Sequence, residues 1–263
     1  MNYKYIIKKI LPPVFLELFS KKYPNYIWDG VYHHRQDVPT HNDTYDDERR
    51  VQYLVDDAKF AFCSAKEKIF KGFDRHIALG MLTSVLYPIK NGVHILDFGG
   101  GAGTGFVQLI ATLKDNVNIK YDVIDFDKTC IAGRKLFEND KRIEFHVSLQ
   151  KGHNDIDIVY MCSVLPYIND YKALIAELAS LNAKYILLGY LAAGDFPTYA
   201  SKQLNLSGQV LGYWFINIDE IINLVESFGY TCLYKCRNGK EFDQSNFPEA
   251  FRIGQMCDIL FKK

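Results

Sequence analysis

From residue 93 onward, apolar and polar positions alternate between two periods. Short apolar runs at 93–98, 119–124, 143–147, 156–161 and 185–191 read as buried strands. Runs with helical spacing lie between most of them, at 106–113, 128–138 and 171–181. In the last of these, Leu174, Leu178 and Leu181 share one face and Asp170 stands at the capping position. The link from 147 to 156 is short and holds little helix. Strands alternating with helices imply a parallel sheet covered on both faces. Asn217-Ile-Asp-Glu220 has the form of a capping box, opening a helix that stops at Phe228-Gly229. Two last runs, 231–236 and 256–261, pair as a closing antiparallel edge. The predicted class is therefore α/β, with no internal repeat.

The first ninety residues follow a different pattern. A short helix is expected over 3–19, interrupted by Pro12-Pro13. Residues up to 45 otherwise look irregular, punctuated by Pro24, Trp28-Asp29-Gly30, Pro39 and a polar run from His33 to Thr44. Val51, Leu54, Val55, Ala58 and Phe62 then trace a helical stripe, with Thr44 or Asp46 as cap and Gly72 as stop. A second helix, 74–87, presents Ile77, Met81, Leu82 and Val85 and ends at Pro88. The predicted organisation is a helical and loop cap over 1–90 and a ligand-binding core over 91–263.

The core is organised around Ile95-Leu96-Asp97-Phe98-Gly99-Gly100-Gly101-Ala102-Gly103. A strand that feeds a glycine turn and then a helix gathers backbone N–H groups and a helix N-terminus at one spot. Three consecutive glycines, with Gly103 and Gly105, exceed what a tight turn requires, so a ligand is expected to approach this backbone closely. The dinucleotide fingerprint G-x-G-x-x-G fails in every register, because its last position falls on Thr104, Phe106 or Gln108.

An acid at the end of the first strand, directly before the glycines, resembles the pattern of class I S-adenosylmethionine (SAM) methyltransferases. A smaller bacterial family of that superfamily, associated with surface-polysaccharide gene clusters, is similar in more letters. These are Leu-Asp-Phe-Gly-Gly at 96–100, Ser163-Val-Leu-Pro-Tyr167, Ile10-Leu-Pro-Pro13 and Trp28-Asp-Gly-Val-Tyr32. The resemblance implies a Rossmann-like class I methyltransferase sheet, mostly parallel with an antiparallel C-terminal edge pair, and SAM as cofactor. It also implies a set of contacts. Asp97 or its neighbours hold the amino-acid end of SAM, and Gly99, Gly100 and Gly101 border it. Asp125, closing the second strand, accepts from the ribose diol, and Phe126 lies against the adenine. Ser148 or Leu149 meets the adenine edge, and Cys162 and Ser163 flank the sulfonium. The fifth strand departs from the expected pattern, with Leu188-Gly189-Tyr190-Leu191 where a charged residue would stand.

Composition narrows the partners. Lys+Arg and Asp+Glu both number 31, so the chain has no basic field to gather nucleic acid. The six cysteines show no Cys-x-x-Cys and read as thiols of a reducing cytoplasm. No apolar run is long enough to span a bilayer. The N-terminal stretch has no signal-peptide form and is expected to pack on the domain, with peripheral membrane contact as the alternative.

Methyl transfer to a hydroxyl calls for a base, whereas a phosphate or carboxylate oxygen needs only cationic positioning. His34, in a loop with His33, Asp37, His41 and Asp43, is the candidate base. No metal site is predicted there, since no ligand spacing is met. His94 and His146 sit in strand runs and read as structural. The stretch 196–215, with Tyr199, Gln203 and Trp214, and Tyr190 before it, is the candidate acceptor wall. The predicted activity is O-methylation of a small acceptor, a sugar hydroxyl or a phosphate- or phosphoramidate-type group. Two alternatives stand beside it, a non-catalytic SAM-binding scaffold and a nucleotide-sugar or NAD-type enzyme.

Overall fold

The computed structural model describes residues 26–41, 47–66, 74–113, 117–149, 155–205 and 208–263. The helix expected at 3–19, the Ile10–Pro13 motif, Asp43, the candidate caps Thr44 and Asp46, and Gly72 lie outside them. The described residues begin with strand β1 (Trp28–Tyr32), followed by helices α1 (Glu48–Lys66) and α2 (Ile77–Lys90). The core alternates β2 (Val93–Phe98), α3 (Thr104–Thr112), β3 (Ile119–Ile124), α4 (Asp127–Leu136) and β4 (Ile143–His146). It continues with β5 (Ile158–Cys162), α5 (Tyr171–Ser180) and β6 (Tyr185–Leu191). Then come β7 (Ala193–Gly194), β8 (Tyr199–Gln203), β9 (Leu211–Asn217), α6 (Ile218–Glu226), β10 (Thr231–Asn238) and β11 (Met256–Lys262).

The main sheet has seven strands in the order β10-β11-β6-β5-β2-β3-β4. Five are parallel, and β11 runs antiparallel to both β6 and β10. This is the mostly parallel, Rossmann-like sheet with an antiparallel C-terminal edge pair expected from the sequence. β5 and β6 are apolar on both sides, as burial on two faces demands, while β2 and β3 carry His94, Asp97, Lys120 and Asp122 among their apolar residues. Ile95, Tyr121, Val123 and Ile158 pack under α1 to α4. Leu96, Val159 and Met161 pack under α5 and α6 through Leu174, Leu178, Ile221 and Val225. Each such fully buried aliphatic side chain contributes about 1.5–3 kcal/mol. Asp170 caps α5 by accepting from the Ala173 N–H. Asn217 caps α6 by accepting from the Glu220 N–H, but the Glu220 carboxylate turns instead to Tyr171, Thr198 and Lys172, so the box closes on one side only.

Three expectations are corrected. The stretch 196–215, the candidate acceptor wall, is part of a sheet that buries it. It folds into β8 and β9, which with β1 and β7 form a second sheet in the order β1-β8-β9-β7. This sheet joins residues of the expected cap to residues of the expected core, over a cluster of Trp28, Tyr199, Tyr213, Phe215 and Phe247. Second, α2 is rotated from the expected face, and of its four expected core residues only Leu82 packs on the core. Ile77, Met81 and Val85 face solvent, while Leu79, Thr83 and Leu86 are buried. Third, α2 does not end at Pro88. The proline sits exposed in the last turn, and the helix stops at Asn91 in the left-handed conformation.

Chain direction across the sheet reverses between β2 and β5. The chain steps outward from β2 through β3 to β4, then returns to the other side of β2 for β5 and β6. Ligands of open α/β sheets bind in the crevice outside the carboxyl ends of the strands at such a point.

Candidate functional site

The glycine turn after β2 fills that crevice. The Gly99 N–H donates to the Ile124 carbonyl at 2.7 Å, which draws the turn across the end of β3. Gly99 has φ +73°, and a Cβ there would stand 2.3 Å from Val164 Cγ2, in the loop after β5. No side chain fits where the two loops meet, and only glycine adopts that φ without strain. Gly101 also has positive φ, and Leu54 of α1 lies over it. Helix α1 therefore roofs the turn.

Asp125 follows β3 directly. Its Oδ2 accepts from the Gly101 N–H at 2.9 Å and its Oδ1 from the Phe126 N–H at 2.8 Å. Burial pushes its pKa up. The two N–H bonds and the Arg50 guanidinium pull the other way, and burial prevails. An ionised carboxylate offers about four acceptor positions, so these two bonds leave room for a ligand's hydroxyls.

Asp97 lies one layer lower. It is 2% exposed, does not line the cleft, and its Oδ2 accepts from the Tyr121 hydroxyl at 2.6 Å. A Cβ on Gly100 would fall 2.5 Å from that oxygen, so Asp97 sits directly beneath the turn. Burial raises its pKa to about 7, the Tyr121 hydroxyl opposes the rise, and the Asp125 charge adds to it. The two acids thus stand on either side of one glycine turn.

The cleft that opens from Asp125 has a volume of about 650 Å³, within the roughly 300–1,000 Å³ common for small-molecule sites. Gly99 and Phe98 form its floor, and Phe126, Ser148 and Leu149 form one wall. Phe126 is 52% exposed, an unburied ring beside the key carboxylate. Val164, Tyr167 and Asn169 form the opposite wall with Leu174 and Glu177 of α5. Arg35 and Arg50 reach in from the N-terminal segment.

Other expected site residues fall outside the cleft lining. Cys162 closes β5 with its thiol pushed up to about 12 by burial. Ser163 next to it has φ +58°, and its N–H donates to the Gly189 carbonyl, so it shapes the turn that presents Val164. Gly100 and Gly101 belong to the turn without lining the cleft.

His34 is exposed. Its carbonyl accepts from the Asp37 N–H at the start of a short 3-10 turn, Arg35–Asp37, and its ring does not line the cleft. The next residue turns inward instead. Arg35 donates from Nη1 to Asn169 Oδ1 at 2.8 Å and from Nη2 to the Tyr167 carbonyl at 3.0 Å.

The expected acceptor wall is also displaced. Tyr199 is fully buried, stacks on Phe215 at 4.8 Å and donates its hydroxyl to the Phe251 carbonyl, deep in the aromatic cluster. Gln203 is buried and donates to Asn205 Oδ1. Trp214 meets Tyr171 edge-on at 5.9 Å. Tyr190 has φ +49°, donates its N–H to Asp258 Oδ1 at 2.8 Å and lies under the Arg75 guanidinium at 5.2 Å. None of the four lines the cleft. Sequence reasoning missed Arg35, Arg50 and Glu177. Arg35 sits inside a polar run without periodicity, and Arg50 precedes the apolar stripe of its helix by one residue, so neither carried a local signal.

No protein-family model and no curated protein matches the chain. Among solved structures it is similar to the 1,6-didemethyltoxoflavin-N1-methyltransferase of Burkholderia thailandensis with bound 1,6-didemethyltoxoflavin and S-adenosylhomocysteine. That likeness has 14% identity over 84% of this chain and 92% of the other, with a TM-score of 0.49. It is similar to an amino pentose methyltransferase from Micromonospora echinaspora with bound SAM, at 11% identity over 85% of this chain and 100% of the other, with a TM-score of 0.48. It is also similar to the magnesium protoporphyrin IX methyltransferase of Synechocystis PCC 6803 with bound S-adenosylhomocysteine, at 13% identity, 72% and 83% coverage and a TM-score of 0.46.

Proposed function

We propose that this protein is a SAM-dependent methyltransferase that modifies an oxygen of a small acceptor. The observation that carries the reading is the placement of Asp125. Its carboxylate is tied to the glycine turn by the Gly101 N–H and opens on the cleft at the switch point of the sheet. A ribose diol suits that carboxylate. Phe126 and Leu149 offer apolar cover for an adenine, with Ser148 at its edge. The side-chain-free backbone at Gly99 lets a ligand lie against the turn. When bound, SAM supplies an electrophilic methyl group. The protein's part is to align the acceptor and keep water away.

Arg35 and Arg50 bring two guanidinium groups to the cleft beside the carboxylates of Asp125, Asp127 and Glu177, and among the described residues no histidine lines it. A guanidinium fork suits a phosphate-type acceptor oxygen, which needs no base, while the carboxylates of Asp127 and Glu177 leave a sugar hydroxyl as the second candidate. The motifs at 96–100 and 163–167 support a place in the biosynthesis of a bacterial surface polysaccharide, capsule or lipopolysaccharide, in the cytoplasm. Among the described residues no helix is long and apolar enough to cross a membrane.

Calorimetry with SAM, S-adenosylhomocysteine, NAD and nucleotide-sugars tests the cofactor. Saturable binding of the first two alone is expected, and binding of NAD alone would overturn the reading. Methyl transfer from labelled SAM to a panel of phosphosugars and nucleotide-sugars tests the acceptor. SAM binding without turnover on any of them would point to a scaffold.

A further inference from the structure

The half of the sheet that carries β2, β3 and β4 presents a group of ionisable side chains outside the cleft lining. Asp122 of β3 pairs with Glu144 of β4, and His146 stands two residues further along the same strand. Alternate residues of a strand share a face, so the three project together. Their ligand-type atoms all lie within 4.8 Å of one another. His146 Nε2 is 3.5 Å from Asp122 Oδ1 and 3.7 Å from Glu144 Oε2.

These separations are informative. They exceed the roughly 2.7–3.2 Å of a good N–H···O hydrogen bond. They match the spacing of about 3.4 Å between ligand atoms around a tetrahedral zinc with bonds of about 2.0–2.2 Å. The donor set, one imidazole and two carboxylates, balances a divalent cation when the imidazole is neutral.

We propose that Asp122, Glu144 and His146 form a binding site for a divalent transition metal of the zinc type, with His94 as its outer partner. The His94 Nε2–H donates to Asp122 Oδ2 at 2.6 Å, which fixes the carboxylate and directs its other oxygen toward His146. Asp122 is wholly buried, while the side chain of Glu144 is 59% exposed. One side of the site is therefore anchored, and the other opens to solvent on the edge strand β4, leaving a path for the ion and a position for water. Lys120 Nζ lies 3.4 Å from Asp122 Oδ2 on a half-exposed side chain, a competing cation that has to turn outward for the metal to enter.

The site has a structural consequence. His146 is the last residue of β4, and its carbonyl accepts from the Asp125 N–H at 3.2 Å. Residues 147–149 follow it directly into the cleft wall. A metal on His146 clamps the strand end from which that wall departs. The inference does not depend on which ligand the cleft takes.

The test uses the full chain stripped of metal by a chelator. Zinc is titrated calorimetrically, and cobalt is followed by its visible ligand-field bands. Expected are one ion per chain, tetrahedral cobalt bands and a rise in thermal midpoint with zinc. Glu144→Gln and His146→Ala should each weaken zinc binding by about tenfold or more. His33→Ala, a histidine away from the site, should leave it unchanged. Glu144 is largely exposed, so its substitution leaves folding intact, which circular dichroism verifies. Absence of zinc uptake, or uptake that survives either substitution, would show that the four side chains are a charge network only and overturn the proposal.

Discussion

The Gly101 N–H and the Asp125 carboxylate, 24 residues apart in sequence, meet at 2.9 Å and lock the glycine turn to the end of the neighbouring strand. A carboxylate held this way does not have to be ordered by its ligand, so the entropic cost of binding is already met.

Replacing Asp125 with alanine removes the carboxylate proposed to accept from a ribose diol and releases the turn. SAM affinity should fall by roughly 1–3 kcal/mol, the usual cost of losing a charged hydrogen-bond partner. Calorimetry on the folded variant measures it, and unchanged affinity would mean that the diol lies elsewhere.

Gly99→Ala is expected to destabilise the fold by about 1–3 kcal/mol, because the added Cβ overlaps Val164 and φ is positive. Adding Val164→Ala relieves the overlap but not the backbone strain, so the double variant should recover only part of the loss. Urea denaturation of the three proteins reads this out.

Asp97 gives stability a pH dependence of unusual sign. Its pKa in the folded protein is about 7, above its ordinary value of 3.8. Between those values the native state holds a proton that the unfolded chain releases. Its contribution is complete at low pH and is lost as pH rises toward 7. Asp97→Asn keeps an acceptor for the Tyr121 hydroxyl and removes the titration. The variant should lose less thermal stability than the parent between about pH 4 and about 7. Parallel melting curves across that window would contradict the assignment.

Arg35 and His34 are neighbours with opposite expected effects. Arg35 makes two bonds from one planar fork, which a lysine cannot reproduce. Arg35→Lys should cost about 1–2 kcal/mol in stability and raise the KM of an anionic acceptor. His34→Ala, at an exposed position, should stay within about 0.5 kcal/mol of the parent and leave turnover unchanged. A large loss of kcat in His34→Ala would restore the histidine as base.

The parallel strands were legible because their environment is uniform. β2, β3 and β6 are mostly buried apolar residues, with His94, Asp97, Lys120 and Asp122 set among them, and their observed bounds match the expected ones residue for residue. The small sheet was hidden for the opposite reason. In β8 the polar Ser201 and Gln203 are buried beside Tyr199, so no alternation marks the strand, and Asp29-Gly30 disguises β1 as a turn. The face of α2 was misread because Gly80 and Thr83 flank its buried side while Ile77, Met81 and Val85 lie outside. At the site, the acids at strand ends follow from spacing. The arginines come from a separate part of the chain, and only the tertiary fold brings them in. One step along a tight 3-10 turn decides whether His34 or Arg35 points inward.

Trp28 is 3% exposed and wedged among Tyr213, Phe215 and Phe242, on a strand whose partners come about 170 positions later. The protein is thereby buckled shut by its own beginning. A shortened version starting after residue 41 would leave β8 with a raw, hydrogen-bond-hungry border and an aromatic hollow open to water. Such a fragment would seek a replacement strand from other molecules and precipitate, so the large sheet cannot be harvested by trimming.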